Sequence, residues 1–228
     1  MRISLSAGEF EYVDSGDPAA PPVVLLHGLS GNITRWDHIA PELAKHRRVL
    51  ALDQRGHGAS ARTPSYSFES MRDDLLEFVD ALALPPFLLV GHSMGGTVAA
   101  LFAEHHSDRL TGLVLVDAPP PDGDGDWTVP ARPSEDPGFD WDCLPAIFAQ
   151  LADPDPSYVA DLPKIAVPAL ILGGGSTSPV PQEKLAAAAD AIPDCTLVTV
   201  EGAGHNIHQT RPADLLAALT TRFATDPI

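Results

Sequence analysis

Positive charge is scarce in this chain. Its 228 residues hold 14 lysines and arginines against 31 aspartates and glutamates, a formal net charge of -17. Phosphate backbones are bound through clusters of basic side chains, so this balance argues against nucleic acid as a partner. It disfavours an anionic membrane surface for the same reason. Cysteine is scarcer still. Cys143 and Cys195 stand far apart, show no metal-type spacing and read as reduced thiols. No window approaches the roughly 20 apolar residues of a membrane span. The opening stretch MRISLSAGEFEYVDSG lacks the apolar run of a signal peptide. These absences leave a cytoplasmic globular chain, monomeric or homodimeric, whose acidic surface serves solubility.

What is present is a regular alternation. Short apolar runs at 23–26, 48–52, 87–90, 110–116, 167–172 and 196–200 read as buried strands. Helical spacing fills the gaps, over 36–44, 67–82, 97–106, 181–191 and 212–223; in the second, Phe68, Met71, Leu75, Phe78, Val79 and Leu82 share a face. A hairpin over 2–5 and 10–14, turning at Ala7-Gly8, precedes them. The pattern predicts an α/β fold with a mostly parallel central sheet and helices on both faces. From 118 to 165 the periodicity fails amid proline, glycine and aspartate, with helical hints only around 144–151 and 158–162. That stretch reads as a small inserted lid, leaving 1–117 and 166–228 as the core. Trp127, Phe139, Trp141, Phe148 and Tyr158 would give the lid an apolar underside. Trp36, Trp127, Trp141 and Phe148 are the expected substrate pocket.

Chemistry concentrates where strands end. Gly91-His92-Ser93-Met94-Gly95 lies between an apolar strand and a helix, the setting of a nucleophile elbow. A serine on that cramped turn presents its hydroxyl above the sheet, and the two glycines remove side chains that would collide there. His27-Gly28-Leu29-Ser30-Gly31 follows another central strand. No Lys-Ser/Thr follows its glycines, so it is not a phosphate loop. The Leu29 and Met94 N–H groups are the expected oxyanion donors. Asp53 and His57 sit in a charged turn and are read as bracing that loop rather than as a catalytic pair. Asp117 ends the strand at 110–116, and His205 follows the last strand inside Gly202-Ala203-Gly204-His205-Asn206. Loops at the carboxyl ends of parallel strands share one edge of the sheet. Ser93, Asp117 and His205 can therefore meet there in the order nucleophile, acid, base. His92 and His208 are the nearby alternatives to His205.

HGLSG at 27–31, LDQRGHGAS at 52–60, GHSMGG at 91–96, LVLVDAPP at 113–120 and EGAGHNIH at 201–208 carry a resemblance. The chain resembles the α/β-hydrolase superfamily, in its small-lid esterase, lactonase and cofactor-free perhydrolase branch. The resemblance implies Ser93 as nucleophile, His205 as base, and Leu29 and Met94 as oxyanion donors. One departure stands out. Relatives usually carry the triad acid after the strand at 167–172, where this chain has GGGSTSPVP and no acid. Some relatives, haloalkane dehalogenases among them, take the acid from the end of the preceding strand, the place of Asp117. Asp122, Asp124 and Asp126 are the other candidates. The expected activity is hydrolysis of a small carboxylic ester or lactone through an acyl-enzyme, without metal or organic cofactor. Perhydrolysis, carbon–carbon bond hydrolysis and a non-catalytic ligand-binding role are the alternatives on the same fold.

Overall fold

The computed structural model describes residues 1–223; residues 224–228, which close the expected core segment, lie outside the described residues. Eight strands form the sheet: β1 (Arg2–Leu5), β2 (Gly8–Ser15), β3 (Pro22–Leu26), β4 (Arg48–Leu52), β5 (Phe87–His92), β6 (Leu110–Val116), β7 (Ala169–Gly173) and β8 (Cys195–Thr199). Their order is β1-β2-β4-β3-β5-β6-β7-β8. β1 and β2 are antiparallel, β2 is antiparallel to β4, and every pairing from β4 to β8 is parallel. The hairpin turn falls one residue earlier than expected, because Leu5 pairs with Gly8.

Strands buried on both faces read as near-continuous apolar runs, and β3, β5 and β7 are buried throughout. Alternate side chains feed two core layers. Val24, Leu26 and Leu89 enter one; Val23, Leu25, Leu88 and Val90 enter the other. The first layer is closed by α2 (Phe68–Ala81), α3 (Met94–His106) and α6 (Gln182–Ala191). On the second lie α1 (Ala40–Leu43), α7 (Ile207–Thr210) and α8 (Pro212–Arg222). α2 starts where Ser67 and Ser70 cap each other, side chain to backbone in both directions at 3.1 Å. The helix expected over 36–44 is instead a 3₁₀ turn, Ile33–Trp36, followed by the single-turn α1. Pro41 accounts for the break. It has no N–H to donate and its ring collides with the preceding turn, so a helix tolerates it only at the start.

Between β6 and β7 the insertion holds α4 (Cys143–Ala152), α5 (Ser157–Ala160) and a 3₁₀ turn, Leu162–Lys164. It is fastened to the core. Phe139, Cys143, Ile147, Tyr158 and Leu162 belong to the first core layer. The Asp140 N–H donates to the Gly56 carbonyl at 2.6 Å, the Tyr66 hydroxyl to Asp140 at 2.6 Å, and the Phe68 N–H to Gln150 at 2.8 Å.

Candidate active site

Ser93 joins β5 to α3 with φ 51° and ψ -120°, a backbone that L-residues rarely adopt. Glycine on either side makes the turn feasible. A Cβ on Gly91 would lie 2.2 Å from the Gly95 carbonyl oxygen, and one on Gly95 would lie 2.5 Å from that of Leu26. The neighbours His92 and Met94 are buried while Ser93 is half-exposed, which is how an elbow offers its hydroxyl. The Ser93 N–H is held by the Val116 carbonyl at 3.2 Å, so this turn is pinned to the end of β6.

Asp117 follows directly and is also strained, at φ 50°. Its side chain is fully buried and accepts three hydrogen bonds. His205 Nδ1 lies 2.8 Å from Oδ2, the Gly174 N–H 2.9 Å from Oδ1, and the Ser178 hydroxyl donates to Oδ2. The acid-free loop after β7 is therefore a set of donors aimed at an acid on the neighbouring strand. Nothing in GGGSTSPVP announces this except its supply of small residues and hydroxyls. An Asp117 carboxylate accepting from Nδ1 keeps the proton there and leaves Nε2 with its lone pair.

The other candidate acids are engaged elsewhere. Asp122 and Asp124 lie 2.8 and 3.4 Å from Lys184, and Asp126 accepts from Thr128. His208 is fully buried against Trp36, with ring centroids 4.8 Å apart, and neither ring nitrogen has a partner among the described residues. Burial, then the charges of Arg35 and His205, bring its pKa down to about 4. His92 serves a different purpose: its Nε2 donates to the His205 carbonyl at 3.0 Å and ties the end of β5 to the loop carrying His205.

Ser93 and His205 line one cleft of about 210 Å³, together with residues 28–31, Arg35, His92 and Asn206. Neither the Leu29 N–H nor the Met94 N–H has an acceptor among the described residues. Met94 opens α3, whose free N–H groups and partial positive charge point back toward Ser93. The charged turn after β4 supports the loop at 27–31. Asp53 accepts from the Ile33 and Ala59 N–H groups at 2.7 and 3.1 Å, and His57 Nε2 accepts from the Ser30 N–H at 3.2 Å. His27 donates from Nδ1 to the Gly28 carbonyl at 2.8 Å and accepts the Gln54 N–H on Nε2 at 3.1 Å. Burial holds both rings neutral, with His27 lowered to about 3 and His57 to about 4.

The aromatic pocket expected from sequence is corrected. Trp36 is 1 % exposed and packs in the core layer beneath the site rather than in the cleft. Trp127, Trp141 and Phe148 do not line the cleft either. Trp127 packs edge-on against Phe148 at 5.5 Å, and Trp141 against Phe139 at 5.9 Å, so these rings hold the insertion together. A larger hollow of about 680 Å³ lies against β8 and α8, on the sheet face away from α3, and contains none of these residues. Reactive groups, not volume, mark the smaller cleft as the site. Arg35 and Asn206, which sequence reasoning passed over, are part of it.

A parallel sheet with an elbow serine and an aspartate-held histidine at its carboxyl edge defines an enzyme of the hydrolase class. The chain belongs to the alpha/beta hydrolase fold family, whose model matches residues 21–141, more than half its length. It is 29% identical over 254 residues to a mouse sn-1-specific diacylglycerol lipase, ABHD11, covering 92% of this chain and 83% of that protein. Epoxide hydrolase 3 of Xenopus tropicalis is 36% identical over 138 residues, 59% of this chain but only 37% of that protein. The enol-lactonase of Burkholderia xenovorans superposes with a TM-score of 0.82 at 24% identity, covering 99% of this chain and all of that one, a likeness of fold. Among the described residues no helix is long and apolar enough to cross a membrane.

Proposed function

We propose that the protein is a serine hydrolase of a small carboxylic ester or lactone, acting through Ser93, His205 and Asp117. The reading rests above all on the 2.8 Å contact from His205 Nδ1 to the buried Asp117, beside an elbow serine. His205 Nε2 takes the Ser93 proton as Oγ bonds to the carbonyl carbon. The Leu29 and Met94 N–H groups receive the oxyanion. Collapse breaks the carbon–oxygen bond, and His205 returns the proton to the departing alkoxide. Water, deprotonated by His205, then releases the acid and restores Ser93. An epoxide- or halide-opening route needs an alkyl ester on a carboxylate, and Ser93 offers none. The diacylglycerol lipase to which the chain is similar supports the same substrate class. A fluorophosphonate should add one mass increment to the peptide bearing Ser93, and an ester and lactone screen blanked with Ser93→Ala should identify substrates. A folded parent that stays unlabelled and inert would overturn the proposal.

A further inference from the structure

We infer that the cleft selects a small substrate bearing a carboxylate, with Arg35 as the counter-charge; this rests on the serine-hydrolase reading of the same site. Two observations carry it. The first is the lining. Only Leu29 contributes an apolar side chain, and Ser30, Arg35, His92, His205 and Asn206 contribute polar ones. Cavities for drug-sized ligands run to about 300–1,000 Å³ and are mostly apolar. At about 210 Å³, this cleft fits a short acyl group with polar substituents.

The second is the state of Arg35. It lies in the 3₁₀ turn that follows the oxyanion loop, and its Nη1 reaches across to Gln209 Oε1, on α7 beyond His205, at 3.4 Å. Among the described residues no carboxylate pairs with it. Carboxylates outnumber cations about twofold in this chain, and Arg48, Arg55 and Arg109 each have one within 2.7 Å. Asp117, the acid nearest the chemistry, is fully buried and already holds His205, Gly174 and Ser178. The guanidinium thus spans the gap between the two loops flanking Ser93, with a long bond to a neutral amide. A substrate carboxylate would replace that amide with two charge-assisted bonds to a planar fork. The field of a chain carrying -17 repels anions until salt screens it, over about 10 Å at 0.1 M. Selection of an anion must therefore be made by a cation at contact.

The test compares 4-nitrophenyl acetate with 4-nitrophenyl hemisuccinate, which share a leaving group and differ by a carboxylate. The parent should favour the hemisuccinate in kcat/KM. Arg35→Gln should reduce kcat/KM about tenfold more for the hemisuccinate than for the acetate, mainly through KM, as loss of a charged hydrogen bond implies. Arg35→Lys should recover part of the difference. Gln209→Ala should leave the preference in place, which separates anion binding from a structural tie between loops. Equal losses on both esters in Arg35→Gln, or no preference in the parent, would overturn the inference. Calorimetry of monomethyl succinate on Ser93→Ala, with and without Arg35→Gln, reads the same contact without turnover. A tenfold weaker Kd in the double variant supports it and an unchanged Kd sinks it, even if the parent proves to hydrolyse neither ester.

Discussion

Ser178 donates its hydroxyl hydrogen to the same Asp117 oxygen that faces His205 Nδ1. The Val180 N–H occupies the Ser178 oxygen at 3.0 Å, which leaves its hydrogen for Asp117. The loop after β7 thus supplies the donors that hold an acid borrowed from β6.

Ser178→Ala removes one of three bonds holding the Asp117 carboxylate. With a hydrogen bond to a charged group worth about 1.5–3 kcal/mol, turnover of a good ester should fall about tenfold or more, with KM little changed. Asp117→Asn should cost far more, on the order of 10⁴, because the histidine loses its tautomer control. Asp122→Asn, Asp124→Asn and Asp126→Asn should each remain within about tenfold of the parent, or 1.4 kcal/mol. A folded Asp117→Asn variant with near-parent turnover would refute the assignment.

Four buried histidines make the fold acid-sensitive. His27, His57 and His208 have pKa values lowered to about 3, 4 and 4, and His92 is also driven well down, all chiefly by burial. Below pH 6.5 the unfolded chain takes up protons that the folded chain refuses. Their contribution is complete above pH 6.5 and is lost as pH falls toward 4. Each fully buried ring costs about 1–2 kcal/mol between pH 6.5 and 5. Urea midpoints at pH 7.5 and 5.0 should show the drop, and His208→Phe should flatten it.

Glu104 produces the opposite slope. It lies within α3 with both carboxylate oxygens unpartnered among the described residues, and burial, reinforced by Asp161, pushes its pKa up to about 8. The folded state holds a proton that the unfolded state sheds above pH 4.5, so stability is lost as pH climbs toward 8. Glu104→Gln should match the parent near pH 4 and exceed it at pH 9 by roughly 1–3 kcal/mol. Thermal midpoints at the two pH values measure this.

Gly91→Ala should lower Tm and abolish Ser93 labelling together. The atoms a Cβ would meet are the backbone of Gly95 and Gly96, within 2.7 Å, and they cannot yield without unmaking the elbow. Overpacking of this kind costs about 1–3 kcal/mol. A labelled Gly91→Ala variant with parental Tm would show the turn to be looser than described.

Much was legible from short stretches of chain. Apolar run length marked β3, β5 and β7, because a strand covered on both faces has no polar side to show, whereas the edge strand β8 shows two exposed threonines and was marked only by its central Leu197 and Val198. Gly91-His92-Ser93-Met94-Gly95 was legible because the elbow is built by its own neighbours through local steric exclusion. His205 could be named because it follows a strand within a glycine-bounded turn. The break at 36–44 was foreshadowed by Pro41, but spacing alone read through it. The aromatic pocket was misjudged because a large ring serves a core and a binding surface equally well. Whether Trp36 faces solvent depends on what packs over it, here His208 from α7, more than 170 residues away.

The sequence by itself determined the α/β architecture, the elbow turn at Ser93 and which loops end at the carboxyl edge of the sheet, since each depends on residues within one element. Tertiary structure alone decided the acid's support, the cleft's polarity and the placing of Arg35 at its edge with no carboxylate partner among the described residues. Ser178 and His205 reach Asp117 across 61 and 88 residues of chain. Arg35 reaches Gln209 across 174. Those distances close only when parallel strands gather their carboxyl ends on one edge, and no local pattern records which side chains then meet.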